Sequence, residues 1–163
     1  MSYTIRHMAS DEYVLLKDFL YEAIYVPEDF EGVIPRSVIY DDPKCRAAFE
    51  GFGELPDDRA VVAVIDGKVI GACWVRTTDE YGHIDDVTPS FSISLYEQYR
   101  GQGIGTAMMR QMLDELCDAG YSRASLSVQK DNPALHLYER MGFQIIGDGA
   151  DDTEWLMTIE LAP

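Results

Sequence analysis

The order of predicted elements, strand–helix–hairpin–strand–helix–strand–helix–strand–strand, assigns this chain to the mixed α/β class. Two stretches anchor the reading. Ala60–Thr77 (AVVAVIDGKVIGACWVRT) holds two β-rich runs on either side of Asp66-Gly67, a pair suited to the positive φ angles of a tight hairpin turn. Gly103–Ala119 places Met108, Met109, Met112, Leu113 and Leu116 at helical spacing, with Arg110, Asp114 and Asp118 opposite. That helix lies between two strand-like runs, Ser90–Tyr96 and Arg123–Gln129.

The remaining elements follow in order. Tyr3–Met8 reads as a first strand. Ser10–Tyr25 reads as an amphipathic helix with Ser10 as its N-cap and Val14, Leu15, Phe19, Leu20 and Ile24 as its apolar side. Residues 26–58 carry four prolines and several acids, which predicts one or two short helices in an irregular segment that can serve as a lid or substrate wall. Thr78–Asp86 is a polar loop. Gly120 closes the long helix in a left-handed conformation. Asn132–Phe143 has the marks of a short helix: Asn132 at the cap, Pro133 at the first position, Gly142 after the end. Two closing strands complete the sheet.

Composition narrows the function. A chain of 163 residues, 47% apolar, suggests one domain with a substantial core. No apolar run approaches the roughly 20 residues that span a bilayer, and the first ten residues show no signal-peptide pattern, so a cytoplasmic location is expected. Cys45, Cys73 and Cys117 are dispersed and odd in number, which gives neither a disulfide framework nor a zinc spacing; no metal is expected. The 29 acidic residues against 13 basic ones leave a formal charge of −16. Such a surface repels nucleic acid and anionic membrane; it favours a cationic small substrate, and solubility alone accounts for it equally well.

The stretch SLYEQYRGQGIGTAMM (Ser94–Met109) carries the chemistry. A strand runs into a helix start that holds Gly101, Gly103 and Gly105. The first amides of a helix lack intrahelical acceptors, and the helix dipole adds partial positive charge. Without Cβ atoms, an anionic group can approach that backbone closely, and Arg100 can add a charge-assisted contact. The spacing matches neither a dinucleotide-binding G-x-G-x-x-G nor a P-loop.

Arg100, Gly103 and Gly105 resemble the R/Q-x-x-G-x-G/A signature of the GNAT acyltransferases. Leu126–Phe143 (LSVQKDNPALHLYERMGF) resembles that family's second cofactor segment, N-x-x-A-x-x-x-Y-x-x-x-G-F. Asn132, Leu135, Tyr138, Gly142 and Phe143 stand at those places, with Ala134 beside the usual alanine. The resemblance implies a mainly antiparallel sheet flanked by helices on both faces and splayed at the cofactor site. It implies one domain over residues 1–163, with an acyl-CoA-binding core at 90–143 and a variable substrate side at 26–58.

It also implies acetyl-CoA as donor and a small amine as acceptor, with a homodimer as a common assembly. The diphosphate would lie on the amides of Gln102, Gly103, Ile104, Gly105 and Thr106, beside Arg100 and Gly101. The pantetheine arm would pair with the backbone of Ile93 and Leu95. The Leu95 amide would polarise the thioester carbonyl, Tyr138 would serve the leaving sulfur, and Asn132 would contact the cofactor. Relatives often have an acid on the strand before the turn; here Ser90, Ser92 and Ser94 stand there. Glu154, Asp85, Asp86, Glu22 and an ordered water remain alternative routes for the amine's proton, and a non-catalytic acyl-CoA-binding module remains the alternative function. Tyr21, Tyr25, Phe30, Tyr40 and Trp74 are candidate walls of an acceptor pocket.

Overall fold

The computed structural model describes residues 2–162. Seven strands form one sheet: β1 (Thr4–His7), β2 (Arg59–Ile65), β3 (Lys68–Arg76), β4 (Ser90–Leu95), β5 (Arg123–Gln129), β6 (Gln144–Asp148) and β7 (Glu154–Glu160), in the order β1-β2-β3-β4-β5-β7-β6. Every neighbouring pair is antiparallel except β4–β5. The β2–β3 hairpin turns at Asp66 and Gly67, with φ of 49° and 76°, the paired positive angles that match the twist of the flanking strands.

The helices are α1 (Leu16–Ala23), α2 (Val38–Asp41), α3 (Pro43–Phe49), α4 (Ile104–Asp118) and α5 (Ala134–Met141). They divide between the two faces. On one, Met108, Met109, Met112 and Leu116 of α4 pack on Val61, Ala63, Cys73 and Val75. On the other, Leu16, Phe19 and Leu20 of α1 and Ala48 of α3 pack on Ala60, Val62, Ala72 and Trp74. Both faces of β2 and β3 are therefore covered, which is why those strands read as continuous apolar runs rather than alternating ones.

The first helix departs from expectation at its start. Ser10 is not its cap: Ser10–Leu15 is a 3₁₀ segment, and the Glu12 carboxylate reaches back to the Ala9 amide at 2.8 Å. The tighter winding rotates the apolar stripe, so Val14 is 60% exposed and Leu16 is fully buried. Trp74 is also a correction. It is no pocket wall but a core residue with no exposure, and its indole N–H donates to the Ala48 carbonyl at 2.8 Å.

Next to it, Arg76 ties α3 to the sheet. Its guanidinium pairs with Asp58 at 2.9 Å and donates to the carbonyls of Ala47 and Glu50 at 3.0 and 2.7 Å. Both side chains of the pair are essentially buried, at 2% and 1% exposure. The free C-terminal carbonyls of α3 are thus met by a cation, and the short helix is held as a wall.

Beyond the Ser90↔Ser125 pair, β4 and β5 form no further ladder. The Ser90 hydroxyl donates to the Tyr81 carbonyl at 3.2 Å, and the Ser125 hydroxyl to the Gly82 carbonyl at 2.6 Å. Gly82 sits so close to the notch that a Cβ there would meet Ser90 Oγ at 2.7 Å and the Ser127 amide nitrogen at 2.9 Å. No described helix is long and apolar enough to cross a membrane.

Two outcomes are expected. Asp58→Ala strands a buried guanidinium and should lower unfolding free energy by about 3–5 kcal/mol in a denaturant titration. Glu80, 3% exposed, has a carboxyl pushed up to about 8 by burial, against an ordinary value of 4.5. The folded state binds this proton more tightly than the unfolded state does. Its stabilising contribution is thus full below the unfolded value and is lost as pH rises through the folded one. Thermal melts from about pH 5 to about pH 9 should show a falling component that Glu80→Gln removes.

Candidate active site

The turn between β4 and α4 is built as an anion cradle. Gly101 and Gly103 have φ of 78° and 81°, in the left-handed region, and a Cβ on either would meet nothing within 4 Å. Their role is conformational, and the space above them is open. The helix has no side-chain cap, and its first internal bond is from the Ala107 amide to the Gly103 carbonyl at 3.1 Å. Among the described residues, no carbonyl or side chain accepts from the amides of 101–106, which include Gln102, Ile104, Gly105 and Thr106. A diphosphate is the kind of group that satisfies such a set.

The gap beside β4 is the second part. The Ser125 amide donates to the Pro89 carbonyl, and the Tyr96 amide to the Ile70 carbonyl. Backbone direction alternates along a strand, so Ile93 and Leu95 turn their amides and carbonyls toward β5, where the ladder has ended. An extended ligand arm fits that edge. Arg100 takes one of these groups: its Nε donates to the Leu95 carbonyl at 3.0 Å, and the guanidinium also lies 3.6 Å from Glu22. The side chain expected over the cradle here joins the end of β4 to α1.

The three serines of β4 are structural in part. Ser90 holds the Tyr81 carbonyl, and Ser94 donates to the Phe19 carbonyl of α1 at 2.6 Å, while Ser92 faces a cavity. None supplies a carboxylate.

Two cavities meet at Ile93, Asn132 and Tyr138. The first, about 630 Å³, runs along α1 and the end of β4, past Glu22, Tyr25, Ile34 and Arg100. The second, about 360 Å³, lies toward α3 and β7 and is lined by Asp42, Tyr81, Ser127 and Glu154 among others. Residues 26–58 supply walls to both: Val26 and Ile34 to the first, Val38, Asp42 and Cys45 to the second. Tyr21 and Tyr25 line the first, whereas Phe30 and Tyr40 are each 46% exposed on the surface.

Local structure aims the two residues shared from α5 and its approach. The Asn132 side chain accepts from the Ala134 amide at 2.9 Å, while the helix itself begins one residue later than expected, with Pro133 at the cap position. The Phe143 amide donates to the Tyr138 carbonyl at 3.0 Å and the Gly142 amide to the Glu139 carbonyl at 3.1 Å, the paired closing bonds of a Schellman turn. The accompanying apolar contact is between the rings of Tyr138 and Phe143, 6.3 Å apart and edge-on. Among the described residues no group accepts the Tyr138 hydroxyl, which borders both cavities. Burial pushes this phenol up to about 12, so it keeps its proton at physiological pH.

The candidate proton routes separate by position. Asp85 is committed to Arg123 at 2.7 Å, which holds its carboxyl down at about 2. Asp86 is exposed and faces His83 at 3.8 Å, outside both cavities. Glu22 borders the first cavity, and Glu154 borders the second. Asp42 and Tyr81 are site residues that sequence reasoning did not single out. They lie 39 positions apart, and only the fold brings the Tyr81 hydroxyl to donate to the Asp42 carboxylate.

The chain belongs to the acetyltransferase (GNAT) family, whose pattern it matches over residues 21–143. It is 33% identical over 105 residues to the L-amino acid N-acetyltransferase AaaT of Escherichia coli, a match covering 61% of this chain and 62% of that protein. It is 32% identical over 87 residues to the mycothiol acetyltransferase of Corynebacterium efficiens, covering 52% of this chain and 28% of that protein. The chain thus matches less than two thirds of the length of either relative. The fold is shared with yncA of Salmonella typhimurium, solved with its cofactor acetyl-CoA: TM-score 0.70, 16% identity, 100% of this chain and 96% of that one.

Proposed function

We propose that this protein is an N-acetyltransferase that moves the acetyl group of acetyl-CoA to the primary amine of a small, cationic acceptor by direct attack. The observation that carries the reading is that two cavities share Tyr138 in their walls, one extending to Arg100 beside the turn of free amides and the other lined in part by polar side chains. Residues 90–143 supply the donor half, and residues 26–58 much of the acceptor wall. Acetyl-CoA, when bound, supplies an activated acyl group and a thiolate leaving group.

The chain's own groups have distinct tasks. The amides from Gln102 to Thr106 hold the diphosphate, with Gly101 and Gly103 giving the backbone its curvature. Arg100, released from the Leu95 carbonyl, can join them. The backbone of Ile93 and Leu95 orients the pantetheine arm, and the Leu95 amide polarises the thioester carbonyl. Losing such a donor typically costs about 10²–10³ in rate. Tyr138 donates a hydrogen bond to the departing sulfur, and Asn132 holds the start of α5 beside it. The overall charge of −16 draws a cationic acceptor inward while the amide cradle makes a local exception for the anionic donor.

Calorimetry with coenzyme A and a thiol-release assay over an amine panel test the reading. Tight binding with no release on any amine would instead mark a non-catalytic acyl-CoA-binding module. Tyr138→Phe should lower kcat by about 10²-fold or more while leaving coenzyme A affinity within about twofold. Gly103→Ala places a side chain in the left-handed region, at a cost of about 1–2 kcal/mol. It should weaken coenzyme A binding, measured in the same calorimeter, by about tenfold.

A further inference from the structure

The second cavity carries three carboxylates and no Lys, Arg or His among its lining residues. Their environments differ. Asp42 accepts from the Lys44 amide at 2.9 Å and from the Tyr81 hydroxyl; burial works against its charge, yet these bonds leave its carboxyl below the usual range. Asp151 accepts from the side chain and the amide of Thr153, the latter at 2.8 Å, and is likewise held down. Both are held as negative charges by the groups that donate to them.

Glu154 is different. It is 6% exposed, more than nine-tenths buried, and its small exposed part borders the cavity. It has no ion-pair partner among the described residues; Lys44, whose charge acts on it, is engaged with Asp79 at 3.2 Å. Burial foremost, then the charges of Asp151 and Asp42, push its carboxyl up, while the Ser127 hydroxyl and Lys44 pull the other way. Tyr81, Cys45 and Tyr138 complete the groups that face the cavity and can titrate. A buried carboxylate with no cation of its own, opening into a cavity next to the phenol, calls for a cationic ligand.

We propose that Glu154 takes the proton of the acceptor's ammonium in this cavity, and that the cavity selects amines that carry no carboxylate beside the nitrogen. The inference rests on the acetyl-transfer reading above and adds the base and the acceptor class to it. The ammonium N–H proton passes to the Glu154 carboxylate, and the freed lone pair forms the N–C bond to the acetyl carbon. The C–S bond breaks with its electron pair on sulfur. The second nitrogen proton neutralises the thiolate, directly or through solvent, and Glu154 returns its own proton to solvent. Pairing carboxylates held ionised with one whose affinity for a proton is raised divides the work between holding a cation and accepting its proton. An acceptor with its own carboxylate would face Asp42, Asp151 and Glu154 with no cation to balance it.

The test uses the full chain with acetyl-CoA and three acceptors, 1,4-diaminobutane, L-alaninamide and L-alanine, read by thiol release. Alaninamide should exceed alanine in kcat/KM by about tenfold or more; equal or better use of alanine overturns the selectivity. Glu154→Gln keeps the shape of the side chain and should lower kcat on the favoured amine by about 10²-fold or more, with coenzyme A affinity unchanged. The fall of wild-type kcat/KM at acid pH, set by Glu154, should be absent in the variant. An active Glu154→Gln with the wild-type pH profile overturns the role of Glu154 and leaves acetyl transfer standing. No release from any of the three amines by a coenzyme-bound wild type also overturns it. Failure of the wild type to bind coenzyme A overturns the acetyl-transfer reading itself. The amide-to-acid comparison needs no variant, so an unstable substitution does not shield the proposal.

Discussion

One residue pair governs the geometry of this molecule. β4 and β5 meet only at Ser90 and Ser125, and both of those side chains are spent on the loop that precedes β4. Their hydroxyls hold the carbonyls of Tyr81 and Gly82, and the loop lies against the notch with no room for a side chain at Gly82. Past this point the two strands diverge. Their facing backbone groups are left for something other than a strand, and a sheet edge inside a protein is stable only when it is paired or covered. The gap is therefore a binding feature by construction.

The elements around the gap are pinned from both sides. On the α4 and α5 side, a helix start with unsatisfied amides stands at one end, and a Schellman turn orients Tyr138 at the other. On the α1 side, Ser94 bonds to the Phe19 carbonyl, and Arg100 bridges Leu95 to Glu22. α3 is held by the buried Arg76–Asp58 pair, and Asp42, which caps it, is the residue that meets Tyr81. Asp42 thus serves stability and site at once: one oxygen starts a helix while the other fixes the loop that closes the β4–β5 notch.

The electrostatics work on two scales. The chain is strongly acidic as a whole, while the cradle offers only amides, whose dipoles favour an anion without adding net charge. The two cavities share Tyr138, a half-buried phenol that stays protonated where their walls coincide.

Much of this was legible in the chain itself. Strong local signals were enough for the β2–β3 hairpin, the α4 stripe, the glycine turn, and α5 with its Gly142 end, because each depends on residues within a few positions of one another. The 3₁₀ start before α1 was not legible, since the Arg6–Glu12 pairing that accompanies it comes from a neighbouring strand. Nor was the burial of Trp74, which depends on α3 crossing the sheet. Glu154 stood in the sequence as one acid among several; the fold alone buried it in a cavity, gave Asp85 to Arg123, and left Asp86 in solvent. Local chemistry determined the elements and the glycine turn. Contacts between residues tens of positions apart decided which side chains line the second cavity, because burial and charge pairing are properties of the packed chain and have no period along it.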